Sequence, residues 1–343
     1  MGTGKVIFIR ADANEKIASG HIMRCLTIAG ALRRQGHSVT FLVSDHDSES
    51  ALTIRGETSF LCLESNYRCL EEELPMLLPL LSERKPDVFL LDSYFASARY
   101  MEAVRKLCRL VYLDDLQQFS YPVDLVINYD LTADASFYSD TPALLGASYT
   151  PLREQFLSVP YSVKERVSTV LISTGGSDIY NAASRIFEVL TGSDYFTKCK
   201  ATFHVLTGNM NSNKASLYQL AEKYPRMILH ENVTEMAGLI SSCDLAFSAG
   251  GTTLFELCAV GVPAVSFSIS DVQYPCVHAF EKAGIIPYAG DVREGDAFYE
   301  KLLSMGIEIA ENPTRRKELS AYMKQFVDGQ GADRIARAIT GLK

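Results

Sequence analysis

The stretch Val6-Ile7-Phe8-Ile9-Arg10-Ala11-Asp12-Ala13-Asn14, continued by Ile17-Ala18-Ser19-Gly20-His21-Ile22-Met23-Arg24-Cys25, decides the fold of this chain. Val6 to Ile9 is a short apolar run, partly β-branched, with Lys5 and Arg10 at its ends. Length and branching predict a buried strand. Ile22, Leu26, Ala29 and Leu32 then recur at helical spacing, and Gly36 ends the pattern. Between strand and helix stand Arg10, Asp12, Asn14, Ser19 and His21. In an open α/β sheet such a loop sits at the carboxyl end of a strand, where ligands bind. His21 falls at or beside a helix N-terminus, whose free amides attract anions. A neutral imidazole there can take a proton from water.

Outward from this unit the alternation continues. Ser38 to Val43 reads as a strand, and the polar stretch Asp45 to Ser50 as an exposed loop. Phe60 to Leu63 is apolar enough for a short strand, and Leu70 to Leu81 is helical in period although Pro75 and Pro79 disturb it. Val88 to Leu91 is a strand ending at Asp92-Ser93-Tyr94; a helix over Ala96 to Lys106 follows. The strand Leu110 to Leu113 leads to Asp114-Asp115, and Leu125 to Ile127 to Asn128-Tyr129-Asp130. Polar residues collect after the strands, which predicts a parallel, doubly wound sheet with four loop groups on one edge. Asp114-Asp115 reads best as a surface turn.

Leu157 to Arg166 has the mixed composition of an interdomain linker. The alternation then restarts. Val170-Leu171-Ile172 runs into Thr174-Gly175-Gly176-Ser177-Asp178 and a helix from about Asn181 to Leu190. Thr202 to Leu206, Met227 to Leu229 and Asp244 to Phe247 are further strands; Leu217 to Lys223 and Met236 to Cys243 are helical. Next comes Ser248-Ala249-Gly250-Gly251-Thr252-Thr253-Leu254-Phe255-Glu256. Paired glycines let the backbone approach a ligand closely. Thr252 and Thr253 can cap the following helix, whose amides would face a phosphate. Glu256 lies about one turn in, suited to the two hydroxyls of a ribose. The loop is neither G-x-G-x-x-G nor G-x-x-x-x-G-K-[ST], so ordinary dinucleotide and triphosphate sites lose support. Gly261 to Phe267 returns to the sheet, Ser270 to Gln273 opens another helix, and helices follow Asn312-Pro313 and Gly331. The expected domains are residues 1–157, carrying the histidine loop, and 167–328, binding nucleotide, with a terminal helix in 329–343.

The totals narrow the function classes. The 343 residues are 47% hydrophobic and 22% charged, as in a soluble globular protein of about two domains. A net charge of −8 argues against a general nucleic-acid surface, though not against a local phosphate pocket. None of the eight cysteines forms a C-x-x-C pair, and they read as reduced thiols of a cytoplasmic protein. No histidine pair has metal-ligand spacing. Val6 to Ile9 is too short for a signal-peptide core, Val6 breaks the myristoylation pattern after Met1-Gly2, and Leu257 to Ser270 is too short to span a bilayer.

Two doubly wound halves with Gly-Gly-Thr-Thr-x-x-Glu in the second resemble the B-type glycosyltransferase (GT-B) architecture, two Rossmann-like domains facing across a cleft. Several motifs are closer to the UDP-2,4-diacetamido-2,4,6-trideoxy-β-L-altropyranose hydrolases of pseudaminic acid biosynthesis. These are Arg10-Ala11-Asp12, Gly20-His21-Ile22-Met23-Arg24-Cys25-Leu26, Asp92-Ser93-Tyr94 and Gly146-x-x-Tyr149-x-x-Leu152-Arg153-x-x-Phe156. Gly175-Gly176-Ser177-Asp178, Ser248-Ala249-Gly250-Gly251-Thr252-Thr253 and Glu256-Leu257 complete the resemblance, which runs from about Lys5 to Ala283. It implies that His21 activates water, that Tyr94 lies close to the sugar, and that Arg10 and Asp12 shape the sugar pocket. It also implies that Glu256 and the Ser/Thr residues of its loop hold uridine and pyrophosphate, with Arg153 near the phosphates. The reaction implied is cleavage of the anomeric C–O bond with inversion, releasing UDP without metal or other cofactor. Gly20, Arg24, Asn128, Gly175, Gly176, Ser177, Ser248, Gly250, Gly251, Thr252, Thr253 and Gln273 fill out the expected substrate-binding set. Two positions depart from the family pattern: Ala18 replaces a glycine, and Val272-Gln273 stands where Asn-Gln is usual.

A UDP-sugar glycosyltransferase and a non-catalytic nucleotide-sugar-binding protein are the alternatives. The expected partner is a UDP-sugar, with no nucleic acid and no membrane, the chain acting as a monomer or weak dimer. His37, His46, His204, His230 and His278 read as structural.

Overall fold

The computed structural model describes residues 4–14, 20–208 and 210–342. Ile17, Ala18, Ser19 and Asn209, which belong to the motifs above, lie outside the described residues. The chain forms two compact units, Met1–Glu154 with Gln330–Lys343, and Gln155–Gly329. Both are parallel α/β sheets.

The first unit runs β1 (Val6–Ala11), α1 (Gly20–Arg34), β2 (Ser38–Val43), α2 (His46–Thr53), β3 (Phe60–Cys62), α3 (Leu74–Arg84) and β4 (Val88–Asp92). It continues with α4 (Ala98–Arg105), β5 (Arg109–Leu113), β6 (Leu125–Asn128) and β7 (Ala143–Leu145). The strand order is β3-β2-β1-β4-β5-β6-β7. Sequence order reverses between β1 and β4, so the loops after these two strands flank the switch point at which α/β sheets bind ligands. Ile7 and Ile9 of β1 pack with Ile22, Cys25, Ile28 and Leu32 of α1, which places β1 at the centre of the core.

Two local readings change. Asp45 to Ser50 is helical rather than looped: the Asp45 carboxylate accepts from the Ser48 amide at 2.8 Å and caps α2. Ser48 is buried, exchanging hydrogen bonds with the Ala13 backbone, so the polar run hides a fastening to the loop after β1. The prolines do not break α3. Leu70–Glu73 is a 3₁₀ turn, and Pro75 occupies the first turn of the helix, where a missing amide is harmless.

The second unit contains β8 (Thr169–Ser173), α5 (Ala182–Gly192), α6 (Asp194–Cys199), β9 (Thr202–Thr207), α7 (Lys214–Lys223), β10 (Met227–Glu231) and α8 (Met236–Ser241). Then come β11 (Leu245–Ala249), α9 (Thr252–Val260), β12 (Ala264–Ser268), α10 (Tyr274–Lys282), β13 (Tyr288–Asp291), α11 (Asp296–Glu311) and α12 (Pro313–Phe326). The strand order β10-β9-β8-β11-β12-β13 repeats the doubly wound pattern. Residues 157–166 lie in this unit. The buried Arg316 guanidinium donates to the Lys164 and Glu165 carbonyls and to those of Ile309 and Ala310 at the end of α11.

The last helix, α13 (Gly331–Gly341), belongs to the first unit. Ala332, Ile335, Ala336 and Ile339 enter the core beside α1. Gly331 permits the approach, since a Cβ there would stand 2.1 Å from the Thr150 carbonyl oxygen. All eight cysteines are free, and among the described residues no helix is long and apolar enough to cross a membrane.

Candidate functional site

His21 stands in the first turn of α1 and is buried. Its Nδ1 lies 2.5 Å from Oδ1 of Asp92, the last residue of β4. Arg24, one turn along α1, grips the same carboxylate with both ends of its fork: Nε donates to Oδ2 at 2.7 Å and Nη2 to Oδ1 at 2.6 Å. Burial opposes the charge of Asp92. The Arg24 charge and hydrogen bonds and the His21 contact outweigh it, holding the carboxyl well below its usual range. An ionised carboxylate only accepts. His21 Nδ1 is therefore the donor, which leaves Nε2 as the ring nitrogen on which a general base would carry its lone pair.

Tyr94 packs its ring edge-on to His21, with centroids 4.5 Å apart. Its hydroxyl donates to Asp115 at 3.1 Å, and Arg24 Nη1 donates to the same carboxylate at 2.8 Å. Burial and the Asp115 charge keep the Tyr94 phenol protonated. Asp12, His21, Tyr67, Asp92, Ser93, Tyr94 and Phe95 line a small cavity.

Arg10 is fully buried and does not line this cavity. Its guanidinium meets Asp12 at 2.6 Å and Glu73 at 3.0 Å, while Tyr100 and Ser65 also donate to Glu73. Asp12 accepts from the Ser44 amide and hydroxyl at 2.7 and 2.9 Å, so Arg10 positions Asp12 rather than forming the pocket wall. Asn128 is buried as well. Its amide donates to the Tyr138 hydroxyl at 2.9 Å, and Tyr138 and Tyr121 donate to Asp114. Asp114 is thus a buried hub, and only Asp115 remains at the surface of the supposed turn. Gly20 opens α1 and is exposed; Arg153 precedes the 3₁₀ turn Glu154–Phe156 and is half-buried.

In the second unit the strand ends and loops enclose a cavity of about 400 Å³. Gly175, Gly176, Gly250, Gly251, Thr252, Thr253 and Gln273 all line it, together with Ser173, Thr207, His230, Asn232, Val233 and Met236. The paired glycine at β11 is required by geometry. Gly251 has φ +144, and a Cβ on Gly250 would stand 2.8 Å from Val277. Gly251, not a threonine, is the N-cap of α9 and supplies no capping side chain. The first-turn amides at Thr252 and Thr253 thus begin the helix where a phosphate would be met. Gln273 accepts from the Ile269 amide at 2.9 Å, and Val272 is 90% exposed. Three expected residues are not in the lining. Ser177 is outside it, Ser248 is buried with its hydroxyl donating to the Ala249 carbonyl, and Glu256 is buried in α9.

Sequence reasoning singled out neither Tyr67 nor Phe95, read His230 as structural, and took Asp92 only as part of the Asp92-Ser93-Tyr94 motif. For Asp92 a signal existed, an acid closing a strand two residues before Tyr94; for the others only the folded chain supplies one. Among the described residues, His46, Glu49 and Cys62 bring ligand-type atoms within 4.8 Å of one another, but His46 and Glu49 already pair at 2.8 Å.

No family model matches the chain. An uncharacterized protein of Methanocaldococcus jannaschii is 24% identical over 84% of this chain, which spans 61% of that protein. The spore coat polysaccharide biosynthesis protein SpsG of Bacillus subtilis is 25% identical, with 97% of each chain covered. The UDP-2,4-diacetamido-2,4,6-trideoxy-beta-L-altropyranose hydrolase of Campylobacter jejuni is 25% identical over 53% of this chain and 64% of that one. Among solved structures, MurG of Acinetobacter baumannii superposes with a TM-score of 0.71 at 14% identity, covering 98% of this chain and 100% of that one. The spinosyn rhamnosyltransferase SpnG complexed with thymidine diphosphate gives 0.63 at 14% identity, over 98% and 100%. These likenesses establish the fold: two parallel-sheet α/β units of the GT-B glycosyltransferase type.

Proposed function

We propose that the chain hydrolyses a UDP-linked sugar, a diacetamido-trideoxy hexose being the substrate class that the motif resemblance supports. The observation that carries the reading is the His21–Asp92 pair, a donor Nδ1 on an ionised carboxylate. His21 Nε2 takes a proton from water as the water oxygen bonds to the anomeric carbon. The bond from that carbon to the phosphate oxygen breaks on the opposite face, and its electron pair leaves with UDP. Asp92 stabilises the imidazolium, and Arg24 keeps Asp92 charged and aimed. The diphosphate is met by the amides at Gly251 to Thr253, a helix start that favours negative charge without a cation. Tyr94 abuts the sugar, and Asp12, held by Arg10, faces the same cavity.

The test is incubation of the purified protein with UDP-sugars and no acceptor. Release of UDP and free sugar supports hydrolysis. A second reading, transfer of the sugar to an acceptor, is favoured by the glycosyltransferases among the fold neighbours. Turnover that begins only when an acceptor is added would replace the first reading with this one. UDP binding with no turnover under either condition would leave a binding protein.

A further inference from the structure

His204 in β9 and His230 in β10 form a hydrogen bond of 2.8 Å between His204 Nδ1 and His230 Nε2. The parallel register sets Ile228 opposite His204, so His230, two residues on, projects from the same face. The rings lie within 23° of parallel. A bond between two imidazole nitrogens needs one bearing hydrogen and one bearing a lone pair, so the pair cannot hold two charges and remain bonded. Burial pushes both rings toward the neutral form.

His230 lines the 400 Å³ cavity and His204 does not. In the order β10-β9-β8-β11, β10 stands three strands from β11. At about 4.8 Å per strand the β10 end lies roughly 14 Å from the Gly250-Gly251 loop, comparable to the length of an extended nucleoside diphosphate. Leu206, Val233 and Met236 supply apolar surface in the same lining. A nucleoside diphosphate with its phosphates on the α9 amides is long enough to span that distance to His230.

We infer that the His204–His230 pair reads the nucleobase: His230 contacts the base, and His204 is a positioning residue that fixes the ring and tautomer of His230. This rests on the proposal that the cavity binds a nucleoside diphosphate, and it adds a specificity element in which no formal charge takes part. One proton shared between the rings determines whether His230 offers the base a donor or an acceptor.

The test compares UDP with inorganic pyrophosphate by calorimetry on the full chain. His204→Phe keeps a ring but removes the nitrogen; His204→Asn keeps a hydrogen-bonding atom near the place of Nδ1. We expect His204→Phe to bind UDP about fivefold more weakly, as for the loss of one neutral hydrogen bond. Pyrophosphate binding should stay at the wild-type level, and His204→Asn should recover UDP affinity. UDP, and not pyrophosphate, should shift the His230 ring nitrogens in long-range ¹⁵N correlation spectra. Unchanged UDP affinity in His204→Phe, or an equal loss for both ligands, overturns the inference. If the wild type binds neither UDP nor pyrophosphate, the nucleotide reading falls and the inference falls with it.

Discussion

The two candidate sites use opposite electrostatics. Around His21 the first unit gathers full charges and closes them on one another: Arg24 with Asp92 and Asp115, and Arg10 with Asp12 and Glu73. Among the described residues, the lining of the second unit's cavity contains no Asp, Glu, Lys or Arg. It offers glycine backbone, hydroxyls, amides and one imidazole. The contrast follows from what each must hold. A general base needs its tautomer fixed, and a buried ionised carboxylate does that only if a cation compensates its desolvation. A phosphate brings its own charge, and oriented backbone dipoles can meet it with no fixed counter-ion.

Substitutions can break this contrast, and the largest effect is on stability. Asp92→Ala removes two of the hydrogen bonds of the Arg24 guanidinium and leaves it Asp115 alone as a counter-charge, and we expect a loss of about 3 kcal/mol in chemical denaturation. A loss below about 1 kcal/mol would mean that the charges are not mutually dependent. Next, His21→Ala should cut turnover by about 10²-fold or more while UDP affinity stays near wild type. A mutant that loses only binding would show His21 to be a ligand contact instead. In the other unit, Gly250→Val meets Val277 and Gln273 and should weaken UDP binding by roughly tenfold, about 1.4 kcal/mol. The rate with saturating substrate should be spared. Glu256→Ala is expected to weaken UDP binding by about threefold, a contribution typical of one hydrogen bond. An unchanged affinity would restrict this buried carboxylate to a packing role.

The finest distinction is in pH. Asp92 is held below the usual carboxylate range, so its contribution to stability is complete above the unfolded-state value of about 4 and is lost as pH falls toward the folded-state value. The stability gap between wild type and Asp92→Asn should therefore narrow below about pH 4. A gap constant from pH 3 to pH 7 would show that the carboxylate charge contributes nothing. Affinity in the second unit should show no such dependence on a lining carboxylate.

Much of the architecture was legible because its signal is periodic. β1, β4, β8 and β11 are apolar runs that end in polar or glycine loops, and parallel strands buried on both faces have that appearance. α2 was not legible. Its helicity depends on the Asp45 cap and on burial of Ser48 against Ala13, and residues 45–50 show no apolar stripe. The partner of Arg10 was not legible either: the resemblance implied a place in the sugar pocket, and only the folded chain brings in Glu73, 63 positions away. His230 was read as structural because its bond to His204 and its place on the cavity come from a neighbouring strand and from the fold. Local pattern reveals which elements exist; pairing across distant elements determines what a polar side chain is for.

The return of α13 to the first unit makes that unit discontinuous along the chain. Its core draws on Ala332, Ile335, Ala336 and Ile339, which emerge from the ribosome only after all of Gln155–Gly329. During synthesis the second unit can therefore finish folding first, while the first waits with an uncovered apolar face on α1. A fragment ending at Glu154 would retain every strand of the first sheet and still expose that face. Proteolysis or premature termination near residue 330 should thus register at the His21 site, although no residue of that site would have been removed.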